Sequence, residues 1–340
     1  MGGRVRSADG RLRRRSGKRL TPLAKGASSP PPDQPLEGEE ARERLDEEQR
    51  GSTPRRQLEK APHFDDVSPA VGVLDEDAFD SALADDADGA LELLGALVGA
   101  TDQKLAEAAR RLAARVVLDL TRSGAPRSSG VGRMELRPAD RADGDLDLDA
   151  SLEPLQLARA GGTAPPLDEL RVSAWGKPST AVCLVIDRSG SMNGTRLATA
   201  ALATAACAWR AGGDHSVVAF SDDVVVVKSQ DVVRPPAAVA DDVLRLRGMG
   251  PTDLAFALRV ARDQLARSRA QRRVTILLSD CRPTTGSDPA VAGMRLDELV
   301  VIAPADDSDD AAEFARSCGA RWTPLAGPSD IPAAFARLLD

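Results

Sequence analysis

The sequence predicts an α/β fold, a doubly wound and mostly parallel sheet with one antiparallel edge strand, preceded by a helical segment and a disordered N-terminal tail. Three observations predict it. Thr180-Ala181-Val182-Cys183-Leu184-Val185-Ile186 is a nearly continuous apolar run, the pattern of a central strand covered on both faces. From residue 180 to the C-terminus apolar strands alternate with amphipathic helices in the order βαββαβαβα. Residues 216–220 and 223–228 read as strands joined by a tight turn at Ser221-Asp222, which makes one of them antiparallel.

Taken in order, residues 1–65 read as a charged, disordered tail. Nine basic groups in residues 1–25 face a single acid, Asp9, and the sign then flips after Pro30-Pro31-Pro32 in Glu37-Gly38-Glu39-Glu40 and Asp46-Glu47-Glu48. So few apolar residues cannot offset the entropy of ordering the segment, so it is expected to be dispensable for folding. Residues 66–125 form a helical module: Leu91, Leu93, Leu94, Leu97 and Val98, then Leu105, Ala108, Leu112, Val116 and Leu120, recur at helical spacing on either side of a cap at Thr101-Asp102. Residues 126–178 read as a linker in which Leu146 and Leu148 form one face of a short strand and Ser151 caps a short helix. Residues 179–340 carry the α/β unit, with helices near 196–210, 235–246, 253–268, 309–317 and 331–339 and further strands near 273–279, 298–303 and 320–324.

Composition excludes several functions. Aromatics are 3% of the chain, with no Tyr, and the net charge is −7, so a surface that stacks unpaired bases beside positive charge is not available. Only His63 and His215 are histidines, and Cys183, Cys207, Cys281 and Cys318 are widely spaced, which disfavours a structural zinc site and fits a reducing compartment. The basic N-terminus lacks the apolar stretch of a signal peptide, and no apolar run approaches the ~20 residues that span a bilayer, so the expected location is cytoplasmic. The acidic alternation Asp143 to Asp149 fails as a calcium loop in both registers, because its sixth position is Leu148 or Ala150 and its twelfth Pro154 or Gln156.

Three polar clusters fall where strand carboxyl ends should meet helix amino ends. They are Asp187-Arg188-Ser189-Gly190-Ser191-Met192, Gly248-Met249-Gly250-Pro251-Thr252-Asp253 and Ser279-Asp280-Cys281. Their shared chemistry is oxygen ligation of a hard cation: the hydroxyls of Ser189, Ser191 and Thr252 bind directly, while Asp187 and Asp280 lie deeper and hold waters. Neutral hydroxyl ligands leave such an ion electrophilic, and it then attracts a carboxylate from outside.

At these residues the chain resembles the von Willebrand factor A domain, whose metal-ion-dependent adhesion site is Asp-x-Ser-x-Ser, a later Thr and a later Asp. Asp187, Ser189, Ser191, Thr252 and Asp280 match its five positions. The resemblance covers about residues 178–340 and implies Mg2+ (or Mn2+) as cofactor and a protein partner that supplies an Asp or Glu to the metal. Two departures are visible: Cys281 stands where the family often has Gly, and Pro251 stiffens the Thr loop. The preceding stretch from Arg110 to Leu155, with Gly130-Val131-Gly132-Arg133 and residues 144–150, resembles bacterial CoxE-like and chelatase-subunit-like proteins. That resemblance implies a MoxR-type AAA+ ATPase as companion.

The resulting expectation is a non-enzymatic, metal-dependent adaptor with no nucleic-acid or membrane partner. The alternative is a metal-dependent hydrolase, phosphatase- or nuclease-like, at the same site. Helix capping by Asp187, Ser189 and Ser191 explains one loop and leaves Thr252 and Asp280 coincidental. A serine hydrolase lacks the Gly-x-Ser-x-Gly frame and any histidine after His215, and no Walker A loop is present.

Overall fold

A computed structural model describes residues 34–48, 53–123, 133–140, 144–176, 179–188, 194–248 and 250–339. The basic run of residues 1–25, the Gly130-Val131-Gly132 segment and both serines of the Asp-x-Ser-x-Ser loop lie outside the described residues. The N-terminal part contributes helices α1 (Glu39–Glu48), α2 (Arg55–Leu58), α3 (Phe64–Val67), α4 (Glu76–Asp85), α5 (Ala87–Val98) and α6 (Gln103–Ser123). Then come β1 (Arg133–Pro138), β2 (Asp145–Leu146), α7 (Leu152–Gly161) and β3 (Arg171–Gly176). The α/β unit runs β4 (Thr180–Asp187), α8 (Gly194–Ala211), β5 (His215–Phe220), β6 (Val224–Lys228), α9 (Pro236–Leu244), α10 (Leu254–Leu265), β7 (Arg272–Leu278), α11 (Pro289–Gly293), β8 (Leu299–Pro304), α12 (Asp309–Cys318), β9 (Arg321–Leu325) and α13 (Ile331–Leu339).

The main sheet has the order β6-β5-β4-β7-β8-β9, parallel throughout except for β6, which pairs antiparallel with β5. Strand β4 lies inside it and is apolar on both sides. Val182, Leu184 and Ile186 enter one hydrophobic cluster and Ala181, Cys183 and Val185 the other. The first cluster includes residues of α8, α9 and α13; the second includes residues of α10 and α12. Alternation with period two on a strand buried on both faces is what makes the 180–186 run continuous rather than amphipathic. Cys183 and Cys207 are fully buried free thiols, and burial pushes the Cys183 thiol up to about 12, so they serve as small apolar side chains.

Two readings of the N-terminal half need correction. The tail expected to be disordered to about residue 65 is folded over its described residues, 34–48 and 53–65. Helix α1 buries Ala41 and Leu45, and Leu58 and Phe64 join the same cluster as α5, α6 and α8. Charge density concealed this, because a single apolar face every third or fourth residue suffices once a ready-made surface receives it. The helices α4 to α6 pack into that cluster too, so this part extends the core of the α/β unit. Asp102 caps α6 as expected, accepting from the Lys104 and Leu105 amides at 3.0 and 3.2 Å.

The segment read as a linker contains a three-stranded antiparallel sheet of order β1-β3-β2. Its short strand covers only residues 145–146, and both Leu146 and Leu148 are exposed. Ser151 precedes α7, but its hydroxyl does not cap the helix: it accepts from the Arg171 amide at 2.9 Å and donates to the Arg171 carbonyl at 3.2 Å.

Candidate metal centre

The candidate residues gather at the carboxyl edge of the main sheet. Asp187 is the last residue of β4, with only 6% of its surface exposed. Ile186 is in register with Leu278 of β7, so the residues that follow β7 sit beside Asp187. Ser279 there donates to Asp187 Oδ2 at 2.6 Å and accepts from the Cys281 amide at 2.9 Å. One hydroxyl thus orients the deep carboxylate and fixes the turn that carries Asp280. Asp280 faces the same cleft as Asp187, its Oδ1 accepting from the Arg282 amide at 3.3 Å and its Oδ2 lying 3.5 Å from Arg196 of α8.

Thr252 reaches this edge from the other side of β4. It precedes Asp253, whose carboxylate caps α10 by accepting from the Phe256 amide at 2.9 Å. The Asp253 amide donates to the Ser221 carbonyl at the end of β5, at 2.8 Å. The Thr252 amide donates to Thr284 Oγ1 at 2.8 Å, and the Thr252 carbonyl accepts from the Thr284 amide at 3.1 Å. Loops after β5 and β7 therefore grip the Thr252 loop from both sides, and Thr252 is buried. Gly286, at φ +92°, lies so close to Asp253 that a Cβ there would meet its carboxylate at 2.3 Å, which keeps the second grip closed.

The structure thus brings three of the five predicted residues, Asp187, Thr252 and Asp280, to one edge; Ser189 and Ser191 lie outside the described residues. The donors present are carboxylate and hydroxyl oxygens, the set a hard divalent cation takes. Among the described residues no group of three or more His, Cys, Asp or Glu side chains is placed to hold a metal. A centre at this edge would draw on hydroxyls as well as carboxylates. The residues fit such an ion. Next to them opens a cleft of about 610 Å3, floored by Ile186, Leu278, Ile302 and Leu325 and rimmed by Arg196, Asp306 and Asp307. Arg282 holds Asp307 and Asp310 in ion pairs at 2.6 and 2.5 Å, so it is tied down on the rim.

Cys281 explains one departure from the family pattern. It adopts φ +60°, the left-handed region in which glycine is the ordinary occupant. The cysteine tolerates it with a buried side chain in the second core cluster. Neither histidine serves this edge. His215 opens β5 at the opposite end of the sheet, where burial holds it down to about 4 and its Nδ1 lies 2.8 Å from the Gly212 carbonyl; His63 precedes α3. Sequence reasoning did not single out Ser279 as the orienting hydroxyl, nor Arg188, which follows Asp187 and is fully buried. An arginine inside an otherwise small, polar motif was the available signal for the latter.

Within this α/β unit, residues 182–282 match the family model of the von Willebrand factor type A domain. Solved structures similar to the chain include a von Willebrand factor type A protein from Catenulispora acidiphila (17% identity, 50% of this chain and 43% of that one, TM-score 0.38). Others are the PilB minor pilin from Streptococcus sanguinis (14%, 50% and 63%, TM-score 0.38) and the proximal thread matrix protein 1 of the mussel byssus with a zinc-occupied MIDAS motif (15%, 48% and 48%, TM-score 0.40). The chain covers less than two thirds of the length of each. A comparison with curated proteins finds no match.

Proposed function

We propose that this chain is a non-enzymatic, metal-dependent protein-interaction protein. Asp187, Ser189, Ser191, Thr252 and Asp280 would hold Mg2+ or Mn2+, and a partner's Asp or Glu would complete the shell. The observation that carries this reading is the convergence of Asp187, Thr252 and Asp280 from three separate loops onto one sheet edge, with Asp187 oriented by Ser279. The ion supplies an electrophilic position for a carboxylate. Asp187 and Asp280 would hold it together with the hydroxyls of Ser189, Ser191 and Thr252, and neutral hydroxyl ligands would leave much of its charge for the partner. The adjacent apolar-floored cleft gives that partner's neighbouring side chains somewhere to sit.

The partner machinery we infer from the N-terminal resemblance is a MoxR-type AAA+ ATPase, the chain acting as adaptor in protein remodelling or in metal or cofactor insertion. We place this in the cytoplasm, in keeping with four free cysteines. Among the described residues no helix is long and apolar enough to cross a membrane. The test is co-purification of the tagged chain with its ATPase, with and without EDTA, together with an ATPase and phosphodiesterase assay of the chain alone. Metal-dependent capture with no hydrolysis by the chain supports the reading; capture indifferent to EDTA, or hydrolysis by the chain alone, rejects it.

A further inference from the structure

We propose that residues 34–48 form a strap that sets the order of the metal centre through the hairpin turn Ser221–Asp223, an inference that rests on the metal reading above. The turn joins β5 to β6 and touches the chain next to Asp187 and next to Thr252. Asp223 pairs with the guanidinium of Arg188, the residue after Asp187, and the Arg188 amide donates to the Phe220 carbonyl at 2.8 Å. The Ser221 carbonyl holds the Asp253 amide next to Thr252 at 2.8 Å. Asp222 packs against Gly250, where an added Cβ would lie 3.0 Å from its carboxylate oxygen. One three-residue turn therefore contacts the chain beside Asp187 and beside Thr252.

The strap is seated on that same turn. Leu36 pairs with the outer edge of β6 at the first residue after it: the Leu36 amide donates to the Val224 carbonyl and the Val226 amide to the Leu36 carbonyl, both at 2.8 Å. Glu37 is gripped by Ser229 at 2.6 Å and by Arg267 at 2.9 Å. From α1, Arg44 reaches back so that its Nε lies 3.4 Å from Asp223 Oδ2, the oxygen opposite the one that pairs with Arg188. Asp223 is thus shared between an arginine of the strap and the arginine that follows Asp187. Seating the strap holds Asp223, Asp223 holds Arg188, and Arg188 holds the end of β4 that presents Asp187. Where two binding events share one held element, each favours the other.

The experiment titrates the full-length chain with Mn2+, read by the loss of the free-ion electron paramagnetic resonance signal. Amide exchange of residues 186–188 and 250–254 is followed in parallel without metal. Arg44→Ala is expected to weaken Mn2+ binding about five- to tenfold, the low end of couplings measured between sites, and to speed exchange in both segments. Asp46→Ala, which removes a strap contact to Arg245 3.4 Å away and remote from the turn, leaves both unchanged. By reciprocity, Mn2+ slows exchange of residues 36–45 in the unaltered chain. Affinity within twofold in Arg44→Ala overturns the proposal, whether or not exchange changes. A chain that takes up no Mn2+ refutes the metal reading instead, and the strap's hold on the loops then stands or falls on the exchange rates of Arg44→Ala alone.

Discussion

The guanidinium of Arg188 is fully buried and pairs with the carboxylate of Asp223, whose side chain is 31% exposed. The two partners are therefore not equivalent. Removing Asp223 takes a carboxylate partner from a fully buried cation, whereas removing Arg188 leaves an anion that water can reach. Asp223→Ala is expected to cost about 3 kcal/mol, the lower end for a broken buried pair, and Arg188→Met distinctly less. Urea unfolding of the two variants checks the order; equal losses would mean that the pair is solvated.

Ser279→Ala removes the hydroxyl that orients Asp187 and takes the Cys281 amide. Orienting partners of metal ligands typically contribute tenfold or more in affinity, so Mn2+ binding should fall about tenfold while the fold persists. Calorimetry on this variant decides it, with circular dichroism as the check on folding.

Leu45 of α1 is 2% exposed within the core cluster that also contains α5 and α8 residues. Leu45→Ala should destabilise the chain by about 2–3 kcal/mol, since a buried leucine is replaced by a cavity. An unchanged unfolding midpoint would return residues 39–48 to the status of a dispensable tail.

Glu37 is held down to about 2 from 4.5, chiefly by its hydrogen bond to Arg267, with burial opposing and Ser229 assisting. Its folded value lies below its unfolded one, so its contribution is fully present above about pH 4.5 and is lost as pH falls from there towards 2. The stability difference between the unaltered chain and Glu37→Gln should therefore shrink across that acid window and stay constant above it. A difference independent of pH from 5 down to 2 contradicts the assignment.

The sheet was legible because its signals are local: β4 is a buried apolar run, and the Ser221-Asp222 turn lies in the β5–β6 hairpin. The short helix α11 passed unread, since five residues, Pro289–Gly293, carry too little periodicity. The gathering of Asp187 and Asp280 was legible for a different reason, because parallel strands place their carboxyl ends together whatever the loops contain. What the sequence concealed was long-range. Glu37 meets Arg267 and Arg44 meets Asp223 across long stretches of chain, and nothing in a charged run says which of its acids will find a fixed partner. The same blindness hid β1 and β3: Met134 and Leu136 alternate with charged residues in β1 but are exposed, and the strand pairs with β3 far along the chain.

The central claim is a divalent ion at the carboxyl edge of the sheet, and isothermal titration of the full chain with Mn2+ tests it most directly. The account predicts one site, abolished in Asp187→Ala and weakened in Thr252→Ala, with both variants folded. Unchanged Mn2+ affinity in Asp187→Ala, or no binding by the unaltered chain, would contradict it.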